Sequence, residues 1–560
     1  MEPTPSSLLN PTSPREERPT VFIRDFTHPG DSDSAAGIRK AIQEAIRIGA
    51  RRIQFEKGHY RLISHVEHET EGIVHDAGSR GTPPRKECHL LLQRIPNLTL
   101  SGIADAQGTP LTTLVGWNEE KNHPLLPAIL WSEHCTNLRI ENLAFTRAPT
   151  FTSAGEVIEG DDTGVTVRPF TGCPIWDGMG AYCANQFSPD GETLLGESIS
   201  YGNGAQSTWK KIGAHEYRLV DPRAAKMTQR GNLLSWHQGA RTDFQVYFGH
   251  CDNLSFENLR TANSNGFCFL TESCRGIVAR NVSFRPDGDR LFTGPRDAWK
   301  IFKCGGHIAI DGLSVRGVRM DGQNMHSNWA TLRKLEGERE ALFFCRYTYA
   351  PITIGSVVDF HRGPRTESRV VESARLEDQA KDEHLGYLYR VRFTEGFPDF
   401  AGTGTLCAFN CWEAESYQCR NSRFSNIAGA GHLVRYDHLT LHNNRYENIM
   451  NPGILLGAEM PTHAEGGHAT DVLIRQCEFD NCGFYPRYDT VGCVGIHSAG
   501  FDLPLNRDIL ITENTFRNSE VGIHLMTARN VEISRNRYDG IREPVRVDAS
   551  STTSINLRDS

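Results

Sequence analysis

A short motif recurs along this chain every 22 to 24 residues, and that spacing limits the folds open to it. It is an apolar alternation followed by Asn or Gly. Examples are IPNLTLSGI from Ile95, CTNLRIENLAF from Cys135, CDNLSFENLRT from Cys251 and CRGIVARNVSF from Cys274. NRDILITENTFRN from Asn506 and ARNVEISRNRYDG from Ala528 continue it. Cys251 to Cys274 is 23 residues, Ile509 to Val531 is 22 and Val531 to Ile555 is 24. Alternation with period two is a strand signal. Short strands at a fixed interval, with Asn or Gly at the corners, predict a parallel β-helix whose stacked coils bury one apolar column. A leucine-rich repeat would need a helix and more leucines per period, and a β-sandwich would not hold this register along the chain. Asn at the corners tolerates left-handed backbone, and its amide can ladder from coil to coil.

Ile38, Ala41, Ile42, Ala45 and Ile46 lie on one face of a helix ended by Gly49, placed to cap the open end of the column. Two stretches break the period and read as hairpins, SAGEVIEGDDTGVTVRPF and ITIGSVVDFHRG with SRVVESARL and YLYRVRFTEGF. The expected class is therefore all-β: a right-handed parallel β-helix with an N-terminal capping helix and two inserted small antiparallel β-barrels. The expected division is a disordered leader over 1–18 and β-helix over 19–149. An inserted barrel follows over 150–240, and the coils resume over 241–341. A second barrel spans 342–406, and the last coils fill 407–560.

With 60 Lys and Arg against 68 Asp and Glu, the net charge is −8, which argues against nucleic acid as the partner. No run of 18 apolar residues exists to cross a membrane as a helix. The N-terminal stretch MEPTPSSLLNPTSPREERP has neither the basic nor the apolar region of a secretory leader, so a cytoplasmic location is one expectation and a removed leader the other. The 15 cysteines are odd in number and irregularly spaced, which favours buried thiols over a disulfide framework. Cys407 and Cys411 have no matching pair, and no metal or cofactor is expected. His463, His468, His497 and His524 read as loop or structural histidines.

The segment Gly294 to Leu332 carries the most chemistry. Asp297 and Asp321 are 24 residues apart, one coil, so the two carboxylates should project together. Neighbouring strands lie about 4.8 Å apart. Paired carboxylates raise one another's pKa and supply an acid and a base. Glycosidic cleavage uses such pairs at about 5.5 Å for retention or about 6.5–9.5 Å for inversion. Two solvated surface aspartates would show the same spacing. Around them stand Arg296, Trp299, Lys300, Asn324, His326 and Trp329, a mixture of aromatic and hydrogen-bonding groups suited to a sugar.

This stretch resembles the catalytic region of glycoside hydrolase family 110, the α-1,3-galactosidases. There a D-G-x-H element is followed one coil later by M-D-D-x-x-N-x-H. The corresponding letters here are Asp297-Ala298-Trp299-Lys300 and Met320-Asp321-Gly322-Gln323-Asn324-Met325-His326. EGGHATDVLIRQCEFDNC, Glu465 to Cys482, resembles the family's E-S-G-x-V-x-x-V-x-I-R-x-N-x-F-x-N-C stretch. The resemblance covers nearly the whole chain after residue 20. It implies a β-helix with two barrel insertions and a cofactor-free inverting hydrolysis by Asp297 and Asp321. It departs where Met320 replaces the first of two paired aspartates, Ala298 a glycine and Lys300 a histidine. Glu465, Asn324, His326, Arg296, Lys300, Trp299 and Trp412 are the candidate substrate contacts, the last two as stacking platforms.

The expected activity is hydrolysis of a terminal α-linked sugar, galactose among the candidates, from an oligosaccharide or glycoconjugate glycan. Two alternatives stand beside it. A polysaccharide lyase on this scaffold would use Lys300 or Arg296 against a uronate. A non-catalytic carbohydrate-binding β-helix would have lost its site at Met320. An oligomer is compatible with all three.

Overall fold

In the computed structural model the described residues are 19–558 other than 71–84, 118–125, 150–151, 200–206, 239–242, 289, 348, 381–385, 486–488 and 502. The expected leader over 1–18 lies outside them. The chain winds into a parallel β-helix. Asp252–Thr261 lies over Arg275–Phe284 with Leu254 opposite Ile277 and Phe256 opposite Ala279. Near the C-terminus Ile509 lies opposite Val531, and Val531 opposite Ile555. These are the residues whose 22- to 24-residue spacing set the expectation.

One apolar column runs from Val21 to Ile533. Toward the C-terminal end it becomes a stack of rings. Phe424, Tyr446, Phe479, Phe516 and Tyr538 follow one another at centroid distances of 5.2, 4.9, 4.9 and 5.2 Å. All of the 15 cysteines but Cys173 and Cys411 are buried, and none forms a disulfide. Among the described residues no helix is long and apolar enough to cross a membrane.

The corners are built as their residues require. Asn142, Asn258 and Asn281 sit at φ 58°, 52° and 51°. Asn281 donates to Asn258 at 2.8 Å, and Asn258 to Asn142 at 2.8 Å. Left-handed backbone costs an ordinary residue about 1–2 kcal/mol. Asn258→Ala should therefore lower the urea midpoint by an amount of that order, and Asn258→Gly by clearly less, because glycine adopts the same φ freely. Equal losses for the two would show that the ladder amide alone matters there.

The capping helix is Ala35–Ile48, closed by Gly49 at φ 66°. Ala35, Ile38, Ala41, Ile42 and Ala45 are buried against the first coils. Ile46 is 55% exposed. Eight residues beyond Ile38 it has turned about 80° from that side chain, past the edge of the buried stripe. Asp33 ties the helix start to the first coil, accepting from the backbone of Ala35 at 3.0 Å, Ile63 at 3.0 Å and Ser64 at 3.1 Å.

Two antiparallel units leave the column. The first is a seven-stranded sheet running from Thr152–Asp161 to Leu233–His237 in sequence. A barrel is expected at both insertions, and closure is described for the second alone. That one is a six-stranded closed barrel from Ala330–Leu335 to Leu406–Phe409. The column is not interrupted by it. Gln323–Asn328, just before the barrel, pairs directly with His432–Val434 beyond it, Met325 facing Val434.

Candidate active site

Successive coils carry the site on one face. Trp299–Phe302 pairs with Gln323–Asn328 in parallel, Trp299 opposite Gln323 and Lys300 opposite Asn324. The same 24-residue offset places Asp297 and Asp321 just ahead of these strands, one coil apart. They are 2% and 3% exposed. The backbone N–H of Asp321 donates to Asp297 Oδ1 at 3.3 Å. Asp321 is fixed further by Ala430 N–H to Oδ1 at 2.8 Å and Asn324 Nδ2 to Oδ2 at 3.2 Å. Gly429 is needed behind it, since a Cβ there would meet Asp321 Oδ1 at 2.6 Å and the Met320 carbonyl carbon at 2.5 Å.

Alternation along the strands decides which side chains reach the open side. Lys300, Asn324 and His326 line a cavity of about 420 Å³ together with Arg296, Asp297, Asp321 and Glu465. Their neighbours Ile301 and Met325 point into the column. So does Trp299, which corrects the expectation that it is a stacking platform. It packs at 5.8 Å from Phe256 and 6.2 Å from Phe269, fully buried. One residue from Lys300 on a strand, it must face the other way. Trp412 is also displaced from its expected role. It fills the base of the second barrel against Phe409 at 4.7 Å, donates to the Pro351 carbonyl at 3.1 Å and carries Lys303 over its ring at 4.7 Å.

Glu465 arrives from a separate element. Glu465–Gly466 pairs antiparallel with the end of Gln323–Asn328, Asn328 facing Glu465. Its carboxylate lies 3.0 Å from Arg435 Nε and 3.4 Å from His326 Nε2. Arg435 is anchored by donating to the Gly457 carbonyl at 2.6 Å. The turn beyond is tight, because a Cβ on Gly467, at φ 95°, would fall 1.4 Å from the Arg435 carbonyl oxygen.

The electrostatics separate these acids. Burial raises Asp321, and the neighbouring Asp297 charge raises it further, to about 8. Burial also raises Asp297, but Lys300 and Arg296 oppose the rise by stabilising its anion. Burial would raise Glu465 as well. There the charges of Arg435 and Lys300 outweigh it, and the carboxyl falls below the usual carboxylate range. Burial holds His326 neutral, lowering it to about 3, so the standing counter-charge of Glu465 is Arg435. Lys300 is lowered, by burial first. Asn324 Oδ1 is buried without a hydrogen-bond partner on the wall of the cavity, an acceptor waiting for a donor.

Arg435 escapes a reading of sequence. It follows the strand His432–Val434, one coil beyond His326, but the barrel lies between and hides the count. His463, in a loop as expected, and His497, expected to be structural, also line the cavity. His524 keeps that role, its Nδ1 accepting from Val491 N–H at 3.2 Å. Among the described residues no three His, Cys, Asp or Glu side chains are disposed to hold a metal ion.

A family profile described as a right handed beta helix region matches residues 407–559. α-1,3-Galactosidase A of Bacteroides fragilis strain YCH46 is 24% identical over 537 residues, 90% of this chain and 84% of that one. α-1,3-Galactosidase B of Bacteroides thetaiotaomicron is 21% identical over 542 residues, 89% of this chain and 82% of that one. This is a β-helix protein like those of glycoside hydrolase family 110. Among solved structures, the A-module of mannuronan C-5 epimerase AlgE4 from Azotobacter vinelandii aligns at TM-score 0.37 and 11% identity, covering 95% of this family-110-like chain and 99% of that one. The similarity to the galactosidases spans the column and both insertions, so it includes every coil that lines the cavity.

Proposed function

We propose that the cavity hydrolyses a terminal α-linked sugar, galactose first among the candidates, with inversion. The relatives are named α-1,3-galactosidases, and a glycosidase is the class this chain falls in. The observation that carries the mechanism is the buried Asp297–Asp321 pair on adjacent coils, its two members in unlike surroundings. Two carboxyls whose environments push their pKa values apart divide naturally into acid and base. Asp321 keeps its proton at neutral pH and is the general acid for the glycosidic oxygen. Asp297, beside Lys300 and Arg296, is the base that takes a proton from the attacking water. Asn324 Oδ1 accepts from a sugar hydroxyl, and Lys300 and Arg296 donate to others. The Arg435-held Glu465 accepts from a further hydroxyl across the cavity.

Release of nitrophenol from α- and β-linked nitrophenyl glycosides, followed by natural disaccharides, tests the class and names the sugar. The pH profile tests the roles. Because the acid must be protonated, kcat/KM should fall as pH rises through about 8. Asp297→Asn should abolish the fall on the acid side, since no base remains to be protonated. Activity that keeps rising beyond pH 9 would remove Asp321 from the acid role. Lys300 sustains one other reading, since burial favours its uncharged, basic form. Product absorbing as an unsaturated uronate would replace the hydrolase by a lyase.

A further inference from the structure

A second cavity, of about 390 Å³, opens between the six-stranded barrel and the C-terminal coils. It stands back to back with the first. Gly467 is in its wall, while Glu465, two residues earlier, is in the wall of the hydrolytic cavity. The strand Gln323–Asn328 gives Asn324 and His326 to the first cavity, and the next residue, Trp329, faces the second.

Three features converge there. The first is an aromatic wall: the Trp329 ring lies 4.9 Å from His361 and 5.0 Å from His468. The second is a set of carboxylates, Asp359, Glu413 and Asp437. Glu413 accepts from Ser327 Oγ at 3.0 Å, and Asp437 from the Thr470 backbone N–H at 3.1 Å, which leaves each further acceptor capacity. The third is unmet hydrogen bonding. Trp329 is 2% exposed and its indole N–H has no acceptor in the protein. His468 Nε2 is likewise buried without a partner.

A buried donor left unpaired costs about 1–3 kcal/mol, so these atoms imply a ligand that brings polar groups. An apolar ligand would leave them orphaned, and with Arg507 and Arg529 in the lining beside the three carboxyl groups the cleft has no single sign of charge to select a simple ion. A metal is opposed by the donor set, which among the described residues offers no three suitably disposed ligands. A hydroxylated ring satisfies all three features. Its hydroxyls donate to the carboxylates, one hydroxyl oxygen accepts from the indole N–H, and its C–H face lies on the aromatic wall. We propose that this cleft is a second carbohydrate site that binds one hexopyranose unit, separated from the hydrolytic cavity by the Glu465–Gly467 wall. Burial raises both Glu413 and Asp437, the latter to about 6, which weakens the attraction for a cation and suits a neutral ligand. The site does not depend on hydrolysis in the first cavity.

The test uses the full chain, titrated calorimetrically with methyl α-galactoside, methyl β-galactoside and methyl α-glucoside at millimolar concentration. At least one should bind with two equivalents per chain. The variants Trp329→Phe and Glu413→Gln/Asp437→Asn remove the indole N–H and the carboxylates while keeping an aromatic ring and the carboxamide shape. Each should weaken one equivalent at least tenfold and leave kcat on a nitrophenyl glycoside unchanged. A lone equivalent that survives both variants overturns the site, as does a second equivalent that survives them. So does binding of ethanolamine where the sugars fail, which would make the cleft an amine cage. Thermal unfolding of the variants within a few degrees of wild type separates lost binding from lost fold. A chain inactive on every glycoside that still binds a sugar lost in these variants would retain the second site while ending the hydrolase reading.

Discussion

Asp321→Asn should lower kcat on an unactivated disaccharide by about 100- to 10,000-fold, the range that general acid catalysis supplies. The loss should shrink sharply on dinitrophenyl glycosides, whose leaving group needs no proton. Asp297→Asn should lose rate on both substrates and recover part of it with azide, which attacks without a base. The same acid should be visible in stability. Asp321 is near 8 in the folded chain against an ordinary 3.8, so folding takes up a proton between those values. The stabilisation from that group is complete below about pH 4 and is lost as pH rises toward 8. Asn does not titrate, so the variant should gain on wild type as pH rises through that window. The comparison is urea unfolding at pH 5 and at pH 8. A solvated aspartate would give no such trend, and its absence would show that Asp321 is not held protonated by the fold.

The second large effect concerns Arg435. Arg435→Met leaves Glu465 buried with a neutral His326 on one side and only Lys300 for a counter-charge. Removing one partner of a buried pair costs about 3–5 kcal/mol. The urea midpoint should fall accordingly, and KM should rise because the carboxylate no longer has a fixed position. Adding Glu465→Gln should return much of the stability and none of the activity, a non-additivity expected only of groups in contact. A single variant within 1 kcal/mol of wild type would show that Glu465 draws its stabilisation from elsewhere.

The coil repeat was legible because each coil must meet the same two demands: apolar residues inward and a left-handed residue at the corner. Asn258 and Asn281 are at that corner for the reason their spacing suggests. The Asp297–Asp321 juxtaposition was legible by the same count. Composition points to Trp299 as a sugar contact, but strand parity turns it into the column. Lys300 and Trp299 are adjacent, so only one of them could face the cavity. Trp412 lies beyond the barrel, where no coil count was available to place it. Arg435 was hidden for that reason as well, although it completes the charge balance of Glu465. His463 approaches from a loop, whose course no periodicity records, whereas His497 directly follows the coil strand Val494–Ile496.

The manner in which the barrel joins the column has an evolutionary consequence. Its first and last strands pair with each other, Ala330 against Cys407, and the coil strands on either side pair as though nothing lay between. The excursion therefore starts and finishes at nearly one point, and closing it costs entropy that grows only slowly with its length. Such a module can be enlarged, trimmed or exchanged without moving Asp297 or Asp321. A lineage built this way can revise what approaches the cavity while the buried carboxyl pair on the coils is inherited untouched.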